Sequence, residues 1–506
     1  MKKIKFIQKS ILIAALGLGV VSCEDYLDVN DNPNGAGIEN LTPDLVMPGA
    51  MHRPSIEYLT NMNQLGNTMI ATWTGNTQAI QAPFSDEFNY NITSDFYDTI
   101  WDRIYIRTAN LTHIINYSSG QNYDYHKAAA KILKSFYFQN LVDVYGDLPY
   151  TQAHLRGENL FPAYDSAPDI YNRLITQIDE AIDMIDNTNT SSVTPLGASD
   201  IMLGGNMDHW KKFANTLKLR LLIRKAKWAQ QSGGQELTDF NAQMATLNQP
   251  GVQFLSVGED VKINAGYQNE VEKQSPMYEA FGYLTNGNET IGQRQVGPTQ
   301  FLIDILDGTT TTLSDPRLDR LYEARAGQTE IIGLNQGTNG APAQLGDALV
   351  DSFDQDGIIM TAAESLFLQA EAAQEGYLTG IGSAESLFKN GITASFNLLE
   401  APIGTYLTTS DNLDLIGWNS STDKIELIIT QKWLALGSIN GLETWIEYNR
   451  TGYPANMPFP QQSLSGPRPV RLLYPTSEYT GNTANVSAYQ QNAQSAFNDK
   501  IFWDIN

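Results

Sequence analysis

The chain has 506 residues, 42% hydrophobic and 17% charged, which is enough apolar material for a large core and argues against wholesale disorder. Acidic residues outnumber basic ones 56 to 32, for a formal net charge of -24. That field repels nucleic acid and anionic lipid surfaces and disfavours a phosphate-tracking role; spread along the chain, it reads as a solubilising surface.

The first nine residues hold Lys2, Lys3, Lys5 and Lys9 and no acid, and the apolar run "ILIAALGLGVV" follows. A basic start and an apolar stretch too short to span a bilayer predict a secretory leader over residues 1–22. The single cysteine of the chain, Cys23, comes directly after "GVVS". A lone thiol at a cleavage point resembles a bacterial lipobox, so Cys23 is the predicted lipid anchor. Asp28, Asn30, Asn32 and Glu39 have calcium-loop spacing, but Pro33 stands where such a loop needs glycine. A tether with an Asn-Pro-Asn-Gly turn is the better reading, and no metal is expected.

Amphipathic helices dominate from there. Trp101, Tyr105, Ala109 and Ile114 share a stripe in the stretch from Thr99 to Tyr117, and "KAAAKILKSFYFQNLVDVYG" ends at Gly146, a natural C-cap. Ser166 is a predicted N-cap, ahead of Ile170, Leu174, Ile178 and Ile182 at every fourth position. "DHWKKFANTLKLRLLIRKAKWAQQSGG" stacks Trp210, Phe213, Leu217, Leu221 and Ala226 before a Gly-Gly stop. A second helical block holds "TAAESLFLQAEAAQEG", "SAESLFKNGITASFNLL", "DKIELIITQKWLALGS" and "GLETWIEYNR", paired in a manner that resembles tetratricopeptide units without a strict period. The predicted scaffold therefore occupies mainly residues 99–235 and 358–450. Residues 61–98 and 236–357 are rich in Gly, Asn, Gln and Thr and are predicted to form long loops with a few short strands.

No catalytic constellation emerges. His52, His113, His126, His154 and His209 are scattered, without metal-ligand spacing. The S-x-x-K match from Ser386 to Lys389 lies inside an amphipathic helix and lacks partner motifs. The loops offer aromatic rings beside amides, the chemistry that meets sugar C–H faces and hydroxyls. Trp73 with Asn76 and Gln78, Phe84, Tyr90, Tyr278, Tyr283 and Arg294 are the candidate ligand-binding residues. Two rival readings remain: helical pairs that grip peptides as an assembly factor, and a glycan-degrading enzyme built on paired carboxylates.

Cys23 with "DYLDVNDNPN", then "NLTPDLVMPGAM", "FYFQNLVDVYGDLPYTQA", "DHWKKFANTLKLRLLIR", "DPRL", "MTAAESLFLQAEAAQEG", "IITQKWLAL", "GLETWIEYNRTGYP" and "RLLYP" together resemble the SusD/RagB family of nutrient-binding outer-membrane lipoproteins. The resemblance implies an all-α-dominated superhelix of tetratricopeptide-like pairs over residues 23–506. It also implies a lipid-anchored protein on the cell surface that binds glycan, without catalysis or cofactor, and serves as the lid of a SusC-type TonB-dependent transporter.

Overall fold

The computed structural model describes residues 41–464 and 466–506, so the leader, Cys23 and the turn after Asp28 lie outside the described residues. Three prolines shape the first helix: α1 (Pro43–Glu57) starts on Pro43, where the missing N–H costs nothing, and carries Pro48 and Pro54 inside. A π-helical turn, Tyr58–Met62, joins it to α2 (Asn63–Met69). The first block continues with α3 (Thr99–Asn116), α4 (Asp124–Tyr145), α5 (Ala167–Asn187), α6 (Met207–Ser232) and α7 (Gly234–Leu247). The second holds α8 (Ala362–Gln374), α9 (Ala384–Leu398), α10 (Lys424–Leu436) and α11 (Gly441–Thr451).

Local chemistry sets the ends of these helices. Ser166 accepts from the Asp169 N–H, and Thr361 accepts from the Glu364 N–H, each satisfying a donor the first turn leaves open. Gly146 at φ 79 and Gly452 at φ 77 close α4 and α11 in conformations that a Cβ disfavours. Successive helices pack as antiparallel neighbours, α4 on α5, α6 on α7 and α8 on α9, the arrangement of a tetratricopeptide-like superhelix. Ile170, Leu174 and Ile178 are fully buried, as their spacing predicts.

The interior also holds charge. On α6, Arg220 and Arg224 lie one turn apart and both point inward. Arg224 binds Asp143 on α4 at 2.5 Å and Glu443 and Glu447 on α11 at 2.6 and 3.1 Å. Arg220 reaches Glu364 on α8 at 3.0 Å, and Lys432 on α10 reaches Glu443 at 2.9 Å. Arg450 binds Glu371 and Glu447 at 2.7 and 2.6 Å. Five carboxylates thus meet four cations away from water. Burial, then the nearby Glu443, pushes the Glu364 carboxyl up. Burial also opposes ionisation of Glu447, but Arg450, Lys432 and Arg224 outweigh it and hold that group well below the usual range.

Among the described residues the strands are short and paired: β1 (Trp73–Gly75) with β3 (Val296–Pro298), β2 (Val261–Ile263) with β6 (Gly357–Met360), and β4 (Tyr322–Glu323) with β5 (Gln344–Leu345). Helical structure extends further than composition suggests. Residues 234–247 form α7 on the flank of α6, all but its first two residues in a stretch expected to be loop, and residues 63–69, also expected to be loop, form α2 against α11. Phe240, Met244 and Leu247 bury one face of α7, and that apolar spacing outweighs the surrounding polar composition. Between α2 and α11 the backbones touch: a Cβ on Gly66 would stand 1.9 Å from the Gly441 carbonyl oxygen.

Candidate ligand cleft

The two loop inserts meet where β1 runs antiparallel to β3, with Trp73 opposite Pro298 and Gly75 opposite Val296. Past β1, the Asn76 side-chain oxygen Oδ1 accepts from the N–H groups of Gln78 and Ala79, at 3.1 and 3.3 Å, which turns the chain. The Asn76 amide donates across to the Arg294 carbonyl at 3.0 Å. Thr77 clasps the second insert, its hydroxyl accepting from the Gly340 N–H at 2.8 Å. The strand then lies close under Pro83, and a Cβ on Gly75 would come within 2.4 Å of that ring. A third segment joins from far along the chain: Gln462 donates to the Gly337 carbonyl at 2.9 Å, a contact so close that a Cβ on Gly337 would overlap the Gln462 amide.

These three segments enclose a cleft of about 490 Å³. Gln78, Gln81, Asn89, Asn339 and Gln462 line it with amides, and Thr77, Ser85 and Thr338 with hydroxyls. Ile80, Pro83 and Phe88 supply its apolar surface. Among the described residues none of its lining side chains ionises, although the whole chain carries a net charge of -24. A wall of this kind offers paired donors and acceptors to hydroxyls and has no counter-ion for a charged group.

The structure separates the sequence candidates. Gln78 is exposed and lines the cleft. Asn76 is buried and spends its side chain on the turn and on the Arg294 carbonyl. Phe84 is buried and packs edge-on against Phe88, with ring centroids 5.8 Å apart, forming support under the cleft floor. Tyr90 is half-buried beside Asn89; its hydroxyl accepts from Arg468 at 3.1 Å, and burial pushes it up to about 12. Tyr278 and Tyr283 pack at 6.0 Å with tilted rings and are not among the lining residues, and the Arg294 side chain is exposed beside the turn.

Trp73 requires a correction. Its ring is 0% exposed, packs on Phe281 at 5.1 Å, and donates its N–H to the Ser438 hydroxyl at 2.7 Å. A ring with no face toward solvent offers a sugar no platform. Ser438, at the turn between α10 and α11, also pairs with the Tyr322 hydroxyl at 2.6 Å and donates its N–H to Asn67 at 2.8 Å, so Trp73 belongs to the joint between inserts and scaffold.

Gln81, Asn339 and Gln462 were not singled out from the sequence. Amide richness in the first two inserts was a usable signal; Gln462 had none, because only the folded chain brings it to Gly337. Ser386 and Lys389 show no catalytic arrangement: the serine hydroxyl donates to the Ser383 carbonyl, and the lysine binds Glu385 and Asp411. Among the described residues no cluster of three or more His, Cys, Asp or Glu side chains is placed to hold a metal, and no helix is long and apolar enough to cross a membrane.

Residues 43–475 match a protein family described as starch-binding and associating with the outer membrane. No curated protein matches the chain. Among solved structures, a chitin-binding protein is 24% identical, with a TM-score of 0.72, covering 92% of this chain and all of its own. A chitin-binding SusD homolog from Flavobacterium johnsoniae is 21% identical with a TM-score of 0.73, covering 91% of this chain and 99% of its own. A SusD homolog from Bacteroides uniformis is 23% identical with a TM-score of 0.72, at the same coverage. These likenesses establish the fold.

Proposed function

The chain belongs to the SusD-like family, and from that premise we propose that it captures neutral glycan in the cleft beside β1 and β3 and passes it to a SusC-type TonB-dependent transporter. The observation that carries the reading is the lining itself: amides and hydroxyls around a few apolar side chains, with no ionisable group. Uncharged polyols satisfy such a wall, whereas a uronic acid would bring a carboxylate to a site without a cation, beside the exposed Asp86. The family description and the chitin-binding titles of two structural relatives support glycan as the ligand class. Cys23, lipidated after removal of residues 1–22, would hold the protein at the outer membrane and raise its concentration near the transporter.

Affinity electrophoresis through gels containing starch, soluble chitin derivatives or polygalacturonate tests the ligand reading. Retardation in the first or second gel and free migration in the third is the expected result. Gln78→Ala with Asn339→Ala should weaken binding by about 1–3 kcal/mol, the loss of two direct hydrogen-bonding partners. A folded double variant retarded as strongly as the wild type refutes the cleft assignment. Fractionation of cells expressing Cys23→Ala tests the tether: the variant should leave the membrane fraction, and a variant still bound there refutes the anchor.

A further inference from the structure

A second cleft, sharing no lining residue with the first, lies where the C-terminal segment crosses the end of α4. Its volume is about 290 Å³, and its walls combine Tyr474, Tyr489 and the amides of Gln490 and Gln491 with two cations, Arg471 and Lys500, and two acids, Asp147 and Asp499. An aromatic pile runs from the core to this place. Trp101, buried on α3, lies 6.4 Å from Tyr164 with ring planes 29° apart. Tyr164 stacks on Tyr489 at 4.6 Å and 21°. Tyr474 braces both edge-on, at 5.3 and 6.3 Å. Hydrogen bonds lock the supporting rings: Tyr164 donates to Glu478 at 2.9 Å and Tyr474 to the Asp147 carbonyl at 2.6 Å.

Core packing accounts for Trp101, Tyr164 and Tyr474. Tyr489 packs on the same core only in part and ends the pile half-buried at the cleft wall, next to the exposed Gln490. Arg471 is buried, and its guanidinium donates to the carbonyls of Leu472 and Asp499. The cation therefore lines the cleft without a carboxylate partner among the described residues. A ring fixed from behind and from the side loses little freedom when something lies on its outer face. A hexopyranose has the matching shape, with an apolar C–H face for the ring and hydroxyls at its edge for amides and ammonium.

We propose that Tyr489 is the platform of a second carbohydrate site, taking a hexopyranose unit of the same neutral glycan, with a hydrogen-bonding rim made of Gln490, the Gln491 N–H donors left after its oxygen accepts from the Tyr474 N–H, and Lys500, which also binds Asp504 at 3.1 Å. The site rests on the glycan-binding reading, and it adds a half-exposed ring to the apolar surface that Phe88 gives the first cleft.

Calorimetric titration with six-unit chitin and starch oligosaccharides tests it, using the wild type, Tyr489→Ala, Tyr489→Phe, Gln490→Ala and the Gln78→Ala/Asn339→Ala double variant, all checked for folding by circular dichroism. Added to the double variant in one chain, Tyr489→Ala should weaken the surviving binding tenfold or more. Tyr489→Phe should stay within twofold of the parent because the ring remains, and the exposed Gln490→Ala should weaken it about threefold. Binding abolished by the double variant and untouched by Tyr489→Ala and Gln490→Ala overturns this site and leaves the first cleft standing. Binding abolished by Tyr489→Ala alone and untouched by the double variant upholds this site and overturns the first cleft. A wild type that binds neither oligosaccharide overturns both.

Discussion

Replacing Arg224 with methionine removes the cation that joins three helices. Its guanidinium serves Asp143, Glu443 and Glu447, and all four side chains are at most 4% exposed. Glu443 and Glu447 would keep Lys432, and Glu447 would keep Arg450. Asp143 would keep only neutral donors, the Tyr171 hydroxyl and the Trp503 N–H. The cluster, already one negative charge in excess, would be left with five carboxylates on three cations. Breaking a buried ion pair from one side costs about 3–5 kcal/mol, because the stranded charge retains its desolvation penalty. For a chain of 506 residues, an unfolding entropy of about 2.1 cal/mol/K per residue sums to about 1 kcal/mol/K, so the midpoint should fall by about 3–5 °C. Urea unfolding at pH 7, followed by tryptophan fluorescence, provides the free energy. An Arg224→Met protein within 1 kcal/mol of wild type would refute the reasoning and show that the carboxylates take up protons or water at little cost. Arg224→Lys should fall between the two, since one ammonium cannot serve three carboxylates in a fork.

Two further outcomes follow from buried groups. Lys134 on α4 is 9% exposed, lies over the rings of Phe138 and Tyr150, and is pulled down to about 8 by burial and then by Lys131. Its folded pKa is below the unfolded one, so the unfolded chain holds the extra proton between about pH 8 and 10.5, and stability should rise with pH through that window by up to about 3 kcal/mol. The same titration on Lys134→Met should lack this rise, and parallel curves for the two proteins would refute it. Trp73→Ala should cost about 3–5 kcal/mol in the same urea assay, as an emptied core site does, and a loss under 1 kcal/mol would count against the burial described here.

The helices were largely legible because their signals are local. Ile170, Leu174 and Ile178 repeat along one face, Ser166 caps the start, and Gly146 and Gly452 close the ends where α4 and α11 stop. The inward turn of Arg220 and Arg224 was not legible, since a helix carrying "LKLRLLIRK" reads as exposed charge until α8, α10 and α11 bring their acids to it. The cleft was half visible. Loop amides such as Gln78 were identifiable by chemistry, but Trp73 has the same neighbours in sequence whether its ring meets solvent or Phe281. Burial of a lone aromatic in a polar stretch depends on the partner element, here the turn at Ser438, more than 300 positions away.

The short ladder of β1 and β3 has a consequence for how cargo preference can change. It makes the rims on either side of the groove one mechanical part, although they are encoded far apart in the gene. Recombination that trades only one of them would orphan a strand from its mate and seat the newcomer out of step. Retargeting such a receptor, by evolution or by engineering, calls for both stretches to be transplanted as a matched set.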